Sequence, residues 1–263
     1  MARSYKRTGR RHSTIAGVNL GSKRILVTGG TGGVGLALSE ALTALGATVA
    51  TCGRTARGPY AVRADLAVPG EAARVVAEAA ERLGGLDVVV ANAGVQHRTP
   101  LTLGPDPEVL AAARQEIEVN LASVVELAAA AWPHLTAAAV PGGPAGTAFV
   151  AVTSGLAYAP KQSAPVYCAT KAGVHILLES LRHQARTASP GVRVQEVVLP
   201  LVDTAMTAGR EGPARKIGPD RAADAVVRGI VSERPVVAVG ASRALLALLR
   251  VAPAAGRRIL RDG

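Results

Sequence analysis

The stretch RILVTGGTGGVG, residues 24–35, decides the fold. Arg24 to Thr28 is a short apolar run with the look of a buried strand, and Gly35 to Leu45 is rich in Ala and Leu at helical spacing and ends at Gly46. Between them the glycines let the backbone turn tightly and approach a pyrophosphate, whose charge meets the unpaired N–H groups at a helix start. A glycine-rich turn alone is also what any tight turn looks like. Its weight here comes from its place directly after a strand and before a helix.

Working outward, apolar runs bounded by turn residues keep alternating with longer Ala-rich segments. Strands are expected at Thr48 to Thr51, Val62 to Ala64, Leu86 to Ala91, Thr147 to Thr153, Val192 to Leu199 and Val236 to Val239. Helices are expected at about Pro69 to Leu83, Glu108 to Leu135 with a kink or stop near Pro133, Pro165 to Arg186, and Asp220 to Ser232. PGGPAG (141–146) joins two elements of one unit and reads as a loop. The predicted fold class is α/β: a single doubly wound Rossmann-fold domain with a mostly seven-stranded parallel sheet. It spans 23–263, including a basic C-terminal helix or tail, behind a basic extension over 1–22 that is expected to be disordered.

Composition agrees. The chain has 263 residues, 49% of them hydrophobic and 2% aromatic, so its core is built from Val, Leu, Ile and Ala, as in a covered parallel sheet. The net charge of +11 sits at the ends. Residues 1–24 carry +7 and residues 243–263 carry +4, so the body between them is neutral. Without aromatic or glycine interleaving in the basic arms, no specific nucleic-acid module is expected. Cys52 and Cys168 are too few for a disulfide framework or a metal cluster and fit a reducing cytoplasm. No secretory signal and no uncharged membrane-spanning run is expected.

The end of the second strand, Cys52-Gly53-Arg54, offers a guanidinium and no carboxylate, which suits a 2'-phosphate and points to NADP(H) over NAD(H). Asp65, ending the third strand, is placed to accept a hydrogen bond from an adenine amino group. Tyr167 and Lys171 stand four apart at a helix start and so share a face. An ammonium beside a phenol favours the phenolate and makes a tyrosine serviceable as a general acid or base.

Taken jointly, the motifs resemble the short-chain dehydrogenase/reductase family over about residues 23–251. They are TGGTGGVG (28–35), Asp65-Leu66, Ala91-Asn92-Ala93-Gly94, Asn120, Ser154 and YCATK (167–171), with 13 positions between the serine and the tyrosine. NAGVQHR (92–98), VTSGLAYAP (152–160), APVYCATKAGVH (164–175) and VDT (202–204) further resemble its DltE-like branch. The resemblance implies that Tyr167 exchanges a proton with a substrate oxygen that Ser154 hydrogen-bonds. Lys171 would hold the nicotinamide ribose and depress the tyrosine pKa, and Asn120 would position a water leading to solvent. It assigns Gly29, Thr31, Gly33, Val34, Gly35, Arg54, Asp65, Leu66, Asn92, Ala93, Gly94, Pro200, Val202 and Thr204 to the cofactor, together with Tyr167 and Lys171.

The sequence departs from the family at Ala91, where Asn is usual, and at Leu199-Pro200, where Pro-Gly is usual. The expected activity is carbonyl reduction of a small-molecule ketone or aldehyde to an alcohol, in a cytoplasmic homodimer or homotetramer. A redox-neutral epimerase or elimination chemistry, or a non-catalytic NADP(H)-binding scaffold, stays open as the alternative. His97, Arg98 and Tyr158 fall at the substrate end with contact left open. His134, His175, His183 and Trp132 read as packing or surface residues, Cys168 as packing against a neighbouring helix, and the Leu245, Leu246, Leu248, Leu249 stripe as a cover for the core. Residues 205–219 resemble the family's substrate-covering loop.

Overall fold

A computed structural model of the chain describes residues 20–139, 146–210, 215–232 and 234–261. The basic arm and the 141–146 loop therefore lie outside the described residues almost entirely. Leu20 is buried against the core, so the folded body begins slightly before residue 23.

The strands are β1 (Arg24–Thr28), β2 (Thr48–Gly53), β3 (Ala61–Arg63), β4 (Val88–Ala91), β5 (Ala148–Ser154), β6 (Arg193–Leu199) and β7 (Val236–Ala238). They form one sheet in the order β3-β2-β1-β4-β5-β6-β7, with every pairing parallel. Chain order reverses between β1 and β4, and in such sheets ligands bind beyond the strand C-termini at that reversal.

The helices are α1 (Gly33–Ala44), α2 (Glu71–Leu83), α3 (Pro107–Ile117), α4 (Ser123–Ala138), α5 (Pro165–Ala188), α6 (Pro219–Val231), α7 (Ala241–Val251) and α8 (Pro253–Arg261). Local chemistry sets several ends. Asp106 caps α3 by accepting from the Glu108 and Val109 N–H groups, with Pro107 at the first helical position. Gly84 closes α2 at φ 71°.

Strand side chains alternate between two cores. Ile25, Val27, Val88 and Val90 face Leu38 and Leu42 of α1 and Val226 and Ile230 of α6. Leu26, Val89 and Phe149 face α2, α4 and α5 through Val76, Leu127, Val174 and Leu178. Burial on both faces explains the unbroken VVVA of β4.

Two expectations need correction. The single helix foreseen over Glu108 to Leu135 is α3 and α4 joined by a π turn at Glu118–Ala122, and α4 runs through Pro133 without ending. The disruption therefore comes in the five residues around Asn120, where tertiary hydrogen bonds compete, and not from the proline. By length and composition, 107–138 is long and apolar enough to cross a membrane. In the fold its inner side packs on the sheet, with Val124, Leu127, Ala131 and Leu135 buried.

Candidate active site

The turn after β1 is built to hold a phosphate. A Cβ on Gly35 would stand 2.1 Å from the Gly29 carbonyl oxygen, and Gly29 itself adopts φ 67°, so both positions need glycine. Gly32, the N-cap of α1, is extended and contributes no side-chain hydrogen bond. The first amides of α1 thus meet no capping side chain, and a pyrophosphate fits their charge and the room the missing Cβ atoms leave.

Two residues brace this turn from β4. Asn92 Nδ2 donates to the Thr28 carbonyl at 2.9 Å, and the Asn92 and Ala93 N–H groups both donate to Thr28 Oγ1 at 3.0 Å. Thr204, after β6, faces the turn: its Cγ2 lies 3.1 Å from where a Gly33 Cβ would be. Thr204 and Thr207 cap each other reciprocally, which fixes this segment.

Strand ends and turn open onto one cavity of about 780 Å³. Gly29, Thr31, Gly33, Val34, Gly35, Arg54, Asp65, Leu66, Asn92, Ala93, Gly94, Ser154, Tyr167, Lys171, Pro200, Val202 and Thr204 all line it. Cys52-Gly53-Arg54 is at the β2 end with Arg54 exposed. A nicotinamide dinucleotide therefore fits the donors present: amides and glycine space for pyrophosphate, and Asp65 for an adenine amino group.

Ser154 ends β5, and its Oγ accepts the Leu156 N–H at 3.2 Å, starting a tight turn away from the strand. Tyr167 and Lys171 sit in the first turns of α5 and are both buried. The Tyr167 pKa is raised in this structure and not depressed. Burial pushes the phenol up to about 12, with the Ser154 hydrogen bond the largest opposing influence. Lys171 Nζ lies over the Tyr167 ring, 5.9 Å from its centroid, and donates to the Val152 carbonyl at 3.1 Å. Burial lowers the Lys171 pKa to about 8, opposed by the negative charge of Glu196.

Asn120 does not line the cavity. It is fully buried in the π turn, where Oδ1 accepts the Val95 N–H and Nδ2 donates to the Val95 carbonyl, both at 2.8 Å. It thus clamps the loop after β4. A Cβ on Gly94 would stand 3.2 Å from Asn120 Oδ1 and 3.6 Å from Lys171 Nζ, so the three residues are close neighbours.

Several features were not anticipated. Glu196 on β6 is fully buried and accepts from Thr153 Oγ1 at 2.6 Å and Tyr158 Oη at 3.0 Å, with His175 Nδ1 at 2.8 Å. Burial opposes its charge, but the His175, Thr153 and Tyr158 hydrogen bonds outweigh it and hold the carboxyl below the usual range. Tyr158 therefore points into this network and not into the cavity, and His175 is a polar partner and not packing. A carboxylate hidden in a run of strand valines carried no sequence signal. Glu116 on α3 is also fully buried; Oε1 accepts the His97 N–H, while Oε2 has no hydrogen-bond partner among the described residues.

His97 Nε2 sits 3.0 Å from Gln115 Oε1, and neither His97 nor the exposed Arg98 lines the cavity. Their neighbours Gln96 and Gln115 do. Cys168 is buried, and its Sγ accepts the Lys161 N–H of the preceding loop at 3.3 Å. The leucine stripe belongs to α7, which packs on α8 and, through Leu245 and Leu248, walls the cavity instead of covering the core. The loop after β6 is pinned at both ends, by a Val202 to Ile217 bridge and by Arg210 donating to the Gln96 carbonyl at 2.8 Å; 211–214 lie outside the described residues.

Residues 23–213 match the family model for short chain dehydrogenases. The uncharacterized oxidoreductase DltE of Bacillus subtilis (strain 168) is 37% identical over 192 residues, covering 69% of this chain and 72% of that protein. A short chain dehydrogenase from Burkholderia cenocepacia J2315, solved in complex with NADP, superposes with a TM-score of 0.79 at 27% identity, covering 93% of this chain and all of the other. An NADH-dependent reductase, A1-R', responsible for alginate metabolism, superposes with a TM-score of 0.71 at 26% identity, covering 84% and 96%. The family match and these likenesses over most of the chain show what it is: an oxidoreductase of the short-chain dehydrogenase/reductase family, a DltE-like member.

Proposed function

We propose that the protein is an NADP(H)-dependent carbonyl reductase that interconverts a ketone or aldehyde and an alcohol. The observation that carries this reading is that Ser154, Tyr167 and Lys171 line the same cavity as the glycine-rich turn. The nicotinamide, when bound, supplies the hydride for the carbonyl carbon and is itself oxidised.

The chain's own residues handle the proton. A phenol held up near 12 is protonated at neutral pH, so Tyr167 Oη gives its proton to the carbonyl oxygen as negative charge develops there. Ser154 Oγ, which acts on Tyr167 from across the cavity, fixes the oxygen's place. Lys171, buried with a pKa lowered to about 8, is poised to return a proton to Tyr167 after the step. Asn120 holds the Val95 loop, and with it Gly94, against Lys171.

Arg54 at the end of β2, where no carboxylate stands, supports NADP(H) over NAD(H). The test is a pair of binding titrations. NADPH is expected to bind at least about tenfold tighter than NADH, and Arg54→Asp to remove that margin. Equal affinities in the wild type would refute the preference. A homodimer or homotetramer is supported by Ile117, Val125 and Ile176, large apolar side chains left exposed on α3, α4 and α5. Two buried free thiols support a cytoplasmic setting.

A further inference from the structure

The substrate end of the cavity has two kinds of wall. Leu156, Met206, Leu245, Leu248, Ile259 and Leu260 supply hydrocarbon, mostly from α7 and α8. These helices stand beside the reacting centre: Leu245 Cδ2 and Leu260 Cδ1 lie 3.0 and 3.9 Å from where a Cβ on Gly155 would be, next to Ser154. Their own packing is tight, since a Cβ on Gly256 would come within 2.7 Å of Leu249 Cδ2.

One cation joins this wall. Lys161 lines the cavity from the loop between Ser154 and Tyr167. Its backbone is held by Cys168 Sγ on one side, and the next residue's N–H, that of Gln162, donates to the Arg261 carbonyl at the end of α8 at 2.9 Å. Among the described residues its ammonium has no hydrogen bond and no ion-pair partner. Arg210 is near, fastened to Gln96 of the cavity wall. Burial first, then the charges of Arg210 and Arg98, lower the Lys161 pKa, so an anion placed there would meet concentrated positive charge. The nearby carboxyl, Glu116, is buried and pushed by burial toward its neutral form.

We propose that the substrate is a ketone with an aliphatic or alicyclic body ending in a carboxylate, its hydrocarbon against α7 and α8 and its carboxylate at Lys161 with Arg210 behind. This rests on the carbonyl-reductase reading above. The reduction balances as ketone plus NADPH plus a proton giving secondary alcohol plus NADP⁺, the carboxylate taking no part. Lys161 fixes which way round the molecule enters, because neutral hydrocarbon on a solitary ammonium leaves a charge desolvated.

The test uses medium-chain keto acids with the ketone at successive carbons, each paired with its methyl ester, and follows NADPH consumption. Wild type is expected to favour the acid of at least one pair by about tenfold or more in kcat/KM, through KM. Lys161→Met is expected to bring the acid-to-ester ratio near one, and Lys161→Arg to restore it. A wild-type ratio near one in every pair, or a ratio that Lys161→Met leaves intact, overturns the proposal while leaving the reductase reading in place. If neither acid nor ester is reduced although NADPH binds, the reductase reading falls. The carboxylate site is then judged by melting temperature in the presence of NADPH: a keto-acid shift that Lys161→Met abolishes supports it, and no shift refutes it.

Discussion

His175 Nδ1 stands 2.8 Å from Glu196 Oε2, joining α5 to β6 through a carboxylate with no exposed surface. Tyr158 Oη lies 3.0 Å from both atoms. The cluster sits one helical turn beyond Lys171 and one residue from Ser154, so it braces both catalytic elements from behind.

That pairing fixes a pH dependence of stability. The Glu196 hydrogen bond raises the His175 pKa above 6.5, with Glu179 adding to it and burial and Arg182 opposing. A raised histidine stabilises the fold fully below its unfolded value and loses that contribution as pH climbs through the folded one. Glu196 is lowered below 4.5, so its share is present above that value and lost as pH falls through the folded one. The pair therefore contributes most between about 4.5 and 6.5. Chemical denaturation of wild type against His175→Gln should show a gap of about 1.5 to 3 kcal/mol in that window that shrinks at higher pH. A pH-independent gap would speak against an ionic pair.

Much of the site was legible because its motifs are local. TGGTGGVG, Asn92-Ala93-Gly94 and Tyr167 with Lys171 each lie in one turn between predictable elements, and the structure brings them to one cavity edge. What was not legible depends on distant contacts. Glu196 meets Tyr158 across 38 residues, and Asn120 meets Val95 across 25, at a π turn over 118–122 where the sequence has neither glycine nor proline. The basic C-terminal segment read as a helix or tail with no stated contact, yet Gly256 is the residue that lets α8 lie against Leu249.

The glycine-rich turn gives a paired prediction. Gly35→Ala puts a Cβ against backbone that cannot yield, and should cost about 1 to 3 kcal/mol and most of the nucleotide affinity. Gly32→Ala meets nothing within 4 Å from an extended conformation and should cost no more than about 1 kcal/mol, the difference between Gly and Ala as an N-cap, with nucleotide affinity kept. Thermal melts and NADPH titrations of the two variants decide it; equal losses would show that the turn is not the constraint described.

Glu116 yields a third. Burial raises its pKa above 4.5, and a raised carboxyl favours folding less as pH rises through its folded value. Glu116→Gln keeps the acceptor for the His97 N–H and removes the charge. The variant's melting temperature should gain on the wild type from pH 4.5 upward. A constant offset would mean the carboxyl titrates as an exposed one.

Lys171 sets a kinetic profile. With its pKa lowered to about 8, it loses its proton above that pH, and kcat/KM for NADPH, which reports the free enzyme, should decline with a midpoint near 8. Protonated Tyr167 imposes no fall below that, because burial holds it near 12. A profile flat through this region would remove Lys171 from the proton path.

The central claim is that Tyr167 delivers the proton in a nucleotide-dependent reduction. Its most direct test is single-turnover reduction of a carbonyl substrate by enzyme-bound NADPH in wild type and Tyr167→Phe. The account predicts a loss of about 10² to 10⁴-fold in the rate with the NADPH dissociation constant kept within a few-fold. A phenylalanine variant that reduces substrate as fast as wild type would contradict it.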